Sequence, residues 1–466
     1  MNNKYKYLVK NTGILTISNF SSKVLVFLLV PLYTSVLTTE EYGIYDLIAT
    51  TLQLLTPFLA LNIYEGVMRF MMDKDANKKD VATIGLKYVL LGIVLFGLIV
   101  CVNKHFNIWP ALADYTFYVF AYFSFGLFYQ YVNQFAKGLE RVTDMGVAGI
   151  LGTVATVGIN IVLLLGLHMG LAGFYISYIA GQGIPGAYLA LRIKLTRYIK
   201  RDPDKQTEHE MIIYSVPLIM NSLGWWANNV SDRYVVTFLC GIAVNGVYSV
   251  AYKIPSILNT FQQIFIQAWQ ISAIKEYTNR DSRVFYGKAL NCMNVMMCIC
   301  CMGLILLTKP IARLLYAKDF YAAWQYVPFL LVSSVFNSAS GILGPILTAN
   351  KNSKAMGTSA LYGALINIGL NIILVYIMGA QGAAIATAIS SFFIYLFRKF
   401  AVGNDISYVN KNRMLISWIA INVQAILAIY TQLYLVQIIL MLVLLMIYKK
   451  EIRSLFQFAI QMIKRK

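Results

Sequence analysis

The sequence predicts an all-α polytopic membrane protein of about fourteen transmembrane helices: two parallel-repeat six-helix lobes and a C-terminal helix pair. Three observations carry that prediction. Of 466 residues, 59% are hydrophobic and 13% charged, with a mean hydropathy of +0.64, whereas a soluble domain carries charge at about a quarter of its positions. The apolar runs are continuous over about 20 residues, enough to cross a bilayer as helix, and lack the period-two alternation of barrel strands. A stretch in the first half also recurs, in register, 211 residues later.

Taken in order, the apolar runs place spans at 11–37, 42–70, 81–102, 114–136, 142–167, 171–196, 211–238, 245–274, 284–308, 321–349, 354–378, 380–402, 413–430 and 432–448. Lys4, Lys6 and Lys10 precede the first without a small-residue cleavage site, so that segment reads as a retained helix rather than a signal peptide. The last two spans are so close that twelve helices plus a hairpin describes them equally well. The expected domains are an N-lobe over 1–200, a C-lobe over 201–405, a helix pair over 406–448 and a tail over 449–466. The tail, KKEIRSLFQFAIQMIKRK, mixes basic and apolar residues at helical spacing, which suits the surface of an anionic leaflet.

Lysine and arginine orient these spans. With the N-terminus inside, the cytoplasmic segments hold 31 of the 39 basic residues and the outer segments hold 4, namely Lys104, Lys309, Arg313 and Lys318. That bias predicts a multi-pass protein of the cell (inner) membrane with both termini cytoplasmic, hence an even number of spans. The net charge of +19 therefore sits in short clusters between apolar runs, and no nucleic-acid partner is expected.

The internal match pairs MGVAGILGTVATVGINIVLL, from Met145, with MGTSALYGALINIGLNIILV, from Met356. Gly146, Gly152, Gly158 and Asn160 align with Gly357, Gly363, Gly369 and Asn371, and the turns at Gly170 and Gly379 follow. Six spans return a chain to its starting side, so the repeat is parallel, and transporters built from such repeats bind substrate between lobes near the midplane. The shared glycines predict close helix packing within each lobe.

Four basic residues remain inside predicted spans: Lys23, Lys87, Arg233 and Lys253. A charged side chain at the bilayer centre costs about 2.5–3.5 kcal/mol on insertion scales, so such residues face wet cavities or one another. Lys87 lies near a cytoplasmic end, where it can snorkel. Lys23 falls mid-span in the first helix of the first lobe, and Arg233 and Lys253 lie on adjacent antiparallel helices of the second. Asp232 is placed to balance one of them, and Glu65 is spaced to pair with Arg69 one helical turn on. Asn228, Asn229, Gln263 and Gln267, with Trp225 and Trp226, add the amides and indoles that hold sugars. The expected site is thus a cationic, amide-lined cavity for a large anion with polar groups.

SDRYVV, GVYSVAYKIP and NIGLNIILVYIMGAQGAAIAT, with VPLYTSVLTTEEYGIYDLI earlier, resemble the Wzx-like bacterial polysaccharide flippases of the multidrug/oligosaccharidyl-lipid/polysaccharide exporter superfamily. The resemblance spans nearly the whole chain. It implies two six-helix bundles working by alternating access, driven by an ion gradient. It implies a cargo of undecaprenyl-diphosphate-type lipid-linked oligosaccharide, moved from inner to outer leaflet for surface polysaccharide synthesis. Arg233 and Lys253 lie in the matching motif and would hold the diphosphate, and Lys23 follows from its place in the first helix. Asp232 and Glu65 are the candidates for charge balance or for coupling to H⁺ or Na⁺, and a polymerase is a possible partner.

A lipid II-type precursor flippase is chemically the nearest alternative. A multidrug or cation antiporter of the same superfamily would favour intramembrane acids, whereas the excess here is basic. An enzyme is not expected, because the longest loop, RIKLTRYIKRDPDKQTEHE, is dominated by charge. No lysine-bearing phosphate loop occurs, and His105, His168 and His209 are scattered. No cofactor or metal is expected. Cys292, Cys298, Cys300 and Cys301 crowd one apolar run without ligand spacing, which reads as soft packing.

Overall fold

The computed structural model describes residues 27–73, 76–276, 281–350, 352–431 and 433–453. Among them every regular element is helical, with eighteen α-helices joined by short 3₁₀ and π segments. The chain divides into two compact units, 1–226 and 227–466, and the division falls inside one long helix.

The first unit begins with α1 (Val30–Val36) and α2 (Thr39–Leu59). Thr38 and Glu41 start α2 with a reciprocal capping box, each side chain bonded to the other residue's backbone N–H. α2 stops at Ala60. Leu61 and Asn62 adopt φ of 48° and 53°, the left-handed region that ends a helix, and α3 (Ile63–Met71) leaves at 60° to α2. α4 (Lys78–Phe106), α5 (Pro110–Asp114), α6 (Thr116–Gly138), α7 (Val142–Asn160) and α8 (Gly170–Arg192) follow. A π segment, Ile161–Gly166, extends α7. The long helix α9 (Lys205–Cys240) contributes its first part here.

The second unit holds the rest of α9, then α10 (Ile242–Ala251), α11 (Lys253–Glu276), α12 (Ser282–Leu306), α13 (Thr308–Leu315) and α14 (Val327–Ala349). It closes with α15 (Ser353–Met378), α16 (Ala380–Val402), α17 (Lys411–Tyr430) and α18 (Tyr434–Ile447). α14 is its core, buried over nearly its whole length and packed on α11, α12, α16 and α17. Its buried Ser333, Ser334 and Ser338 each donate to a backbone carbonyl of the preceding turn, so they can lie there with its apolar residues.

Among the described residues, seven helices are long and apolar enough to cross a membrane, or eight if the bent α2–α3 pair is one span. That is fewer than the fourteen spans expected, although helices or broken helices occupy each expected region from 42–70 onward. α10 and α18 are apolar but short, with 10 and 14 residues, whereas length is not what α6, α8 and α9 lack. α6 and α8 have 23 residues and α9 has 36, but tyrosine, glutamine, asparagine and charge lower their apolarity. These three also line the polar cavity of the first unit.

The repeated glycines occupy matching environments. A Cβ on Gly152 would lie 2.6 Å from the Gly181 carbonyl oxygen on α8, and one on Gly363 would collide with Ile394 on α16. Gly158 and Gly369 have open space around them instead. The expectation of close packing thus holds at Gly152 and Gly363 and fails at Gly158 and Gly369, and Gly357, which aligns with Gly146, also has open space around it. Gly170 and Gly379 both turn with positive φ, 54° and 62°. Three residues on, Gly173 and Gly382 press against Leu163 and Leu374, themselves 211 positions apart.

Candidate functional site

In the second unit the predicted charges meet tyrosines. α9 ends at Gly241, whose φ of 97° suits glycine, and α10 carries Tyr248 with Tyr252 one turn on. Both phenols donate to Oδ2 of the buried Asp232, Tyr248 at 2.7 Å and Tyr252 at 2.5 Å, while the Arg233 backbone N–H donates to Oδ1 at 3.0 Å. The Arg233 guanidinium lies 5.2 Å from the Tyr252 ring centroid, a cation–π distance. Hydrogen-bond donors thus reach both carboxyl oxygens of Asp232. Asp232 therefore does more than balance a basic neighbour: it organises α9 against α10.

Beside it runs a polar seam across α9, α15 and α16. The Ser231 hydroxyl lies 3.5 Å from Asn367 Oδ1, the Asn367 amide donates to Ser390 Oγ at 3.0 Å, and the Asn371 amide donates to Asn367 Oδ1 at 2.9 Å. Asn371 Oδ1 and Thr387 Oγ1 are buried and have no hydrogen-bond partner among the described residues. Leaving a polar atom so costs about 1–3 kcal/mol.

Lys253 opens α11, half-buried, and no ion pair engages its ammonium among the described residues. Asn228 is half-buried and Asn229 and Gln263 are exposed; Lys23 and the Gln267 side chain lie outside what the structure describes. Glu65 does not pair with Arg69. The Gln134 amide donates to Glu65 at 2.8 Å, and Arg69 turns the other way to Asp73. Lys87 does not simply snorkel, because its ammonium donates to Glu208 at 2.7 Å. That bond holds the Glu208 carboxyl below its ordinary range. The cysteines are all free thiols, with Cys298 and Cys301 buried in α12.

The first unit contains a cavity of about 580 Å³ that reasoning from charges missed. Its walls come from α2, α3, α6, α8 and the first part of α9, with Gln53, Gln130, Gln182 and Asn221 supplying amides and Trp225 and Trp226 indoles. Tyr64, Tyr122, Thr56 and Ser222 add hydroxyls, and among the described residues no carboxylate, ammonium, guanidinium or imidazole lines it. The shape follows from the backbone. Gln53, Thr56 and Pro57 precede the break between α2 and α3 and Tyr64 follows it, so the bend opens the space. Gly126 clears room for the Gln182 amide, which a Cβ there would strike. The Trp226 indole N–H donates to the Thr50 carbonyl at 2.9 Å, fixing that ring. The sequence signal was glutamine within three spans, Gln53 in 42–70, Gln130 and Gln134 in 114–136 and Gln182 in 171–196.

The profile of the family described as polysaccharide biosynthesis protein matches residues 8–270, more than half the chain. The chain belongs to that family. Two curated relatives are similar over long stretches. One, an uncharacterized membrane protein of Methanocaldococcus jannaschii, is 23% identical over 422 residues, 85% of this chain and 98% of its own. The other, a probable low-salt glycan biosynthesis flippase of Haloferax volcanii, is 22% identical over 259 residues, 54% of each chain. Among solved structures, the lipid II flippase MurJ in an inward closed conformation superposes with a TM-score of 0.71 at 16% identity, covering 95% of this chain and all of that one. An inward-facing multidrug-resistance MATE family transporter of the MOP superfamily follows at 0.67 and 14%, covering 84% and 98%. The chain, a member of the polysaccharide biosynthesis protein family, thus shares the fold of these two solved structures.

Proposed function

We propose that the protein is a flippase that carries a polyprenyl-diphosphate-linked oligosaccharide from the inner to the outer leaflet for surface glycan synthesis. The family match across residues 8–270 is the observation that carries this reading. The likeness to a glycan flippase and to a lipid II flippase supports the same cargo chemistry, a glycan on a lipid diphosphate.

The working unit is fourteen spans, with N-lobe 1–200, C-lobe 201–405, a helix pair and a leaflet-bound tail. Both termini are cytoplasmic. Arg233 and Lys253, with Lys23, grip the diphosphate, and Asn228, Asn229, Gln263 and Gln267 meet the glycan. Two negative charges in a low-dielectric setting require such cations, because an unpaired buried charge is prohibitive. Coupling to H⁺ or Na⁺ runs through Asp232, with Glu65 secondary. The unpartnered oxygens of Asn371 and Thr387, on the seam reached from Ser231, are acceptors suited to a hard cation. A polymerase receives the product outside.

The test is export. Cells carrying Arg233→Ala or Lys253→Ala should lose surface glycan at least tenfold and accumulate lipid-linked oligosaccharide facing the cytoplasm, with membrane-fraction protein unchanged. Wild-type export from both single variants removes the cationic grip. Rescue of a lipid II flippase-depleted strain would move the assignment to that precursor.

A further inference from the structure

We propose that the cavity of the first unit is a subsite for an uncharged saccharide, and that it selects neutral sugars against acidic ones. The inference rests on the flippase reading for its biological meaning, but its chemistry stands on the cavity alone. At about 580 Å³ the space lies within the range of small-molecule sites, about 300–1,000 Å³. Four primary amides face it, from Gln53, Gln130, Gln182 and Asn221. Each amide brings two donors and an acceptor, the complement of a hydroxyl or acetamido group that both gives and takes hydrogen bonds. Trp225 and Trp226 supply apolar ring area with a polar edge, which suits the mixed surface of a pyranose ring.

The missing chemistry is equally informative. A carboxylate-bearing sugar would leave water for a site with no cation among its described lining residues, and an organic cation would find no carboxylate among them. Either charge would trade part of its hydration for a lining that offers it no counter-charge among the described residues. The diphosphate is likewise excluded from this cavity, so the cations at Arg233 and Lys253, which are not among its lining residues, serve a different part of the cargo. The site is also built rather than accidental. The α2–α3 break opens it, Gly126 makes room for the Gln182 amide, and the bond from Trp226 to Thr50 orients one indole. Pro57, in the wall, brings no N–H to the Gln53 carbonyl one turn before it.

The experiment titrates the purified full chain with cellobiose, maltose, N,N′-diacetylchitobiose and digalacturonate while reading tryptophan fluorescence. Trp225 lines the cavity and is 61% exposed, so it reports occupancy, and Trp225→Phe identifies its share of the signal. At least one neutral disaccharide should saturate, with digalacturonate binding at least tenfold more weakly. Gln182→Leu should weaken the neutral ligand tenfold or more. So should Gly126→Ala, which displaces the same amide without removing it. Failure of every neutral disaccharide to saturate, equal binding of digalacturonate, or unchanged affinity in both variants overturns the proposal. The comparison between ligands uses the unmodified protein and does not depend on a variant folding. Neutral-sugar binding without glycan export would sink the flippase reading alone, and export without sugar discrimination would sink this subsite alone.

Discussion

Asp232 is 3% exposed, and hydrogen bonds from two phenols and a backbone N–H reach both of its carboxyl oxygens. A hydrogen bond to a charged group is worth about 1.5–3 kcal/mol, and deleting a donor leaves the acceptor partly desolvated. Tyr248→Phe keeps the ring and removes only the hydroxyl. It should lower the midpoint of thermal unfolding in detergent, and in the Asp232→Asn background the same change should cost clearly less, because the neutral amide needs less stabilisation. Equal losses in the two backgrounds would mean that the phenol acts by packing, not by bonding the carboxylate. Asp232 and Arg233 were legible as out-of-place charges in an apolar run. Their partners were not, because Tyr248 and Tyr252 look like ordinary interfacial aromatics until the turn at Gly241 folds α10 back on α9.

At the scale of elements, a glycine in a helix has two meanings that sequence alone does not separate. Gly152 and Gly363 sit where α7 meets α8 and α15 meets α16, and in both places the neighbouring helix occupies the position a Cβ would need. Gly158 and Gly369, six residues further, face open space. Overpacking a close contact costs about 1–3 kcal/mol, whereas an open site lets the added group rotate away. Gly152→Leu and Gly363→Leu should therefore each reduce the yield of folded, monodisperse protein and lower its unfolding temperature. Gly158→Leu and Gly369→Leu should leave both near wild type. A matched response across the 211-residue offset is the sharper half of this prediction; a severe loss at Gly363 with indifference at Gly152 would deny the two segments a common role. Arg398 illustrates a different limit. Counted from sequence among cytoplasmic charges, it instead reaches back into the second unit, donating to the Ser340 carbonyl at 3.0 Å and the Ser359 hydroxyl at 3.2 Å, and so ties α16 to α14 and α15.

From 42–70 onward, apolar runs and turn residues were enough to mark the regions that helices occupy, because crossing a bilayer favours long apolar runs whatever the detail of packing. The break between α2 and α3 was not legible: 42–70 reads as one run, and the left-handed backbone at Leu61 and Asn62 leaves no composition signal. The amide cavity escaped for a related reason, since Gln53, Gln130 and Gln182 are far apart in the chain and only the fold gathers them. Sidedness rests on a different physics, the retention of Lys and Arg on the cytoplasmic face during insertion. The basic residues divide 31 to 4 between the two sets of segments, so single cysteines placed in a cysteine-free background should divide the same way. Arg201→Cys, in the most basic connecting segment, should react with a membrane-impermeant maleimide only after the membrane is opened. Lys318→Cys, beside the short helix α13, should react in intact spheroplasts. Reaction of both from the same side would require an odd number of crossings between residues 201 and 318 to become even, and the fourteen-span arrangement would fall with it.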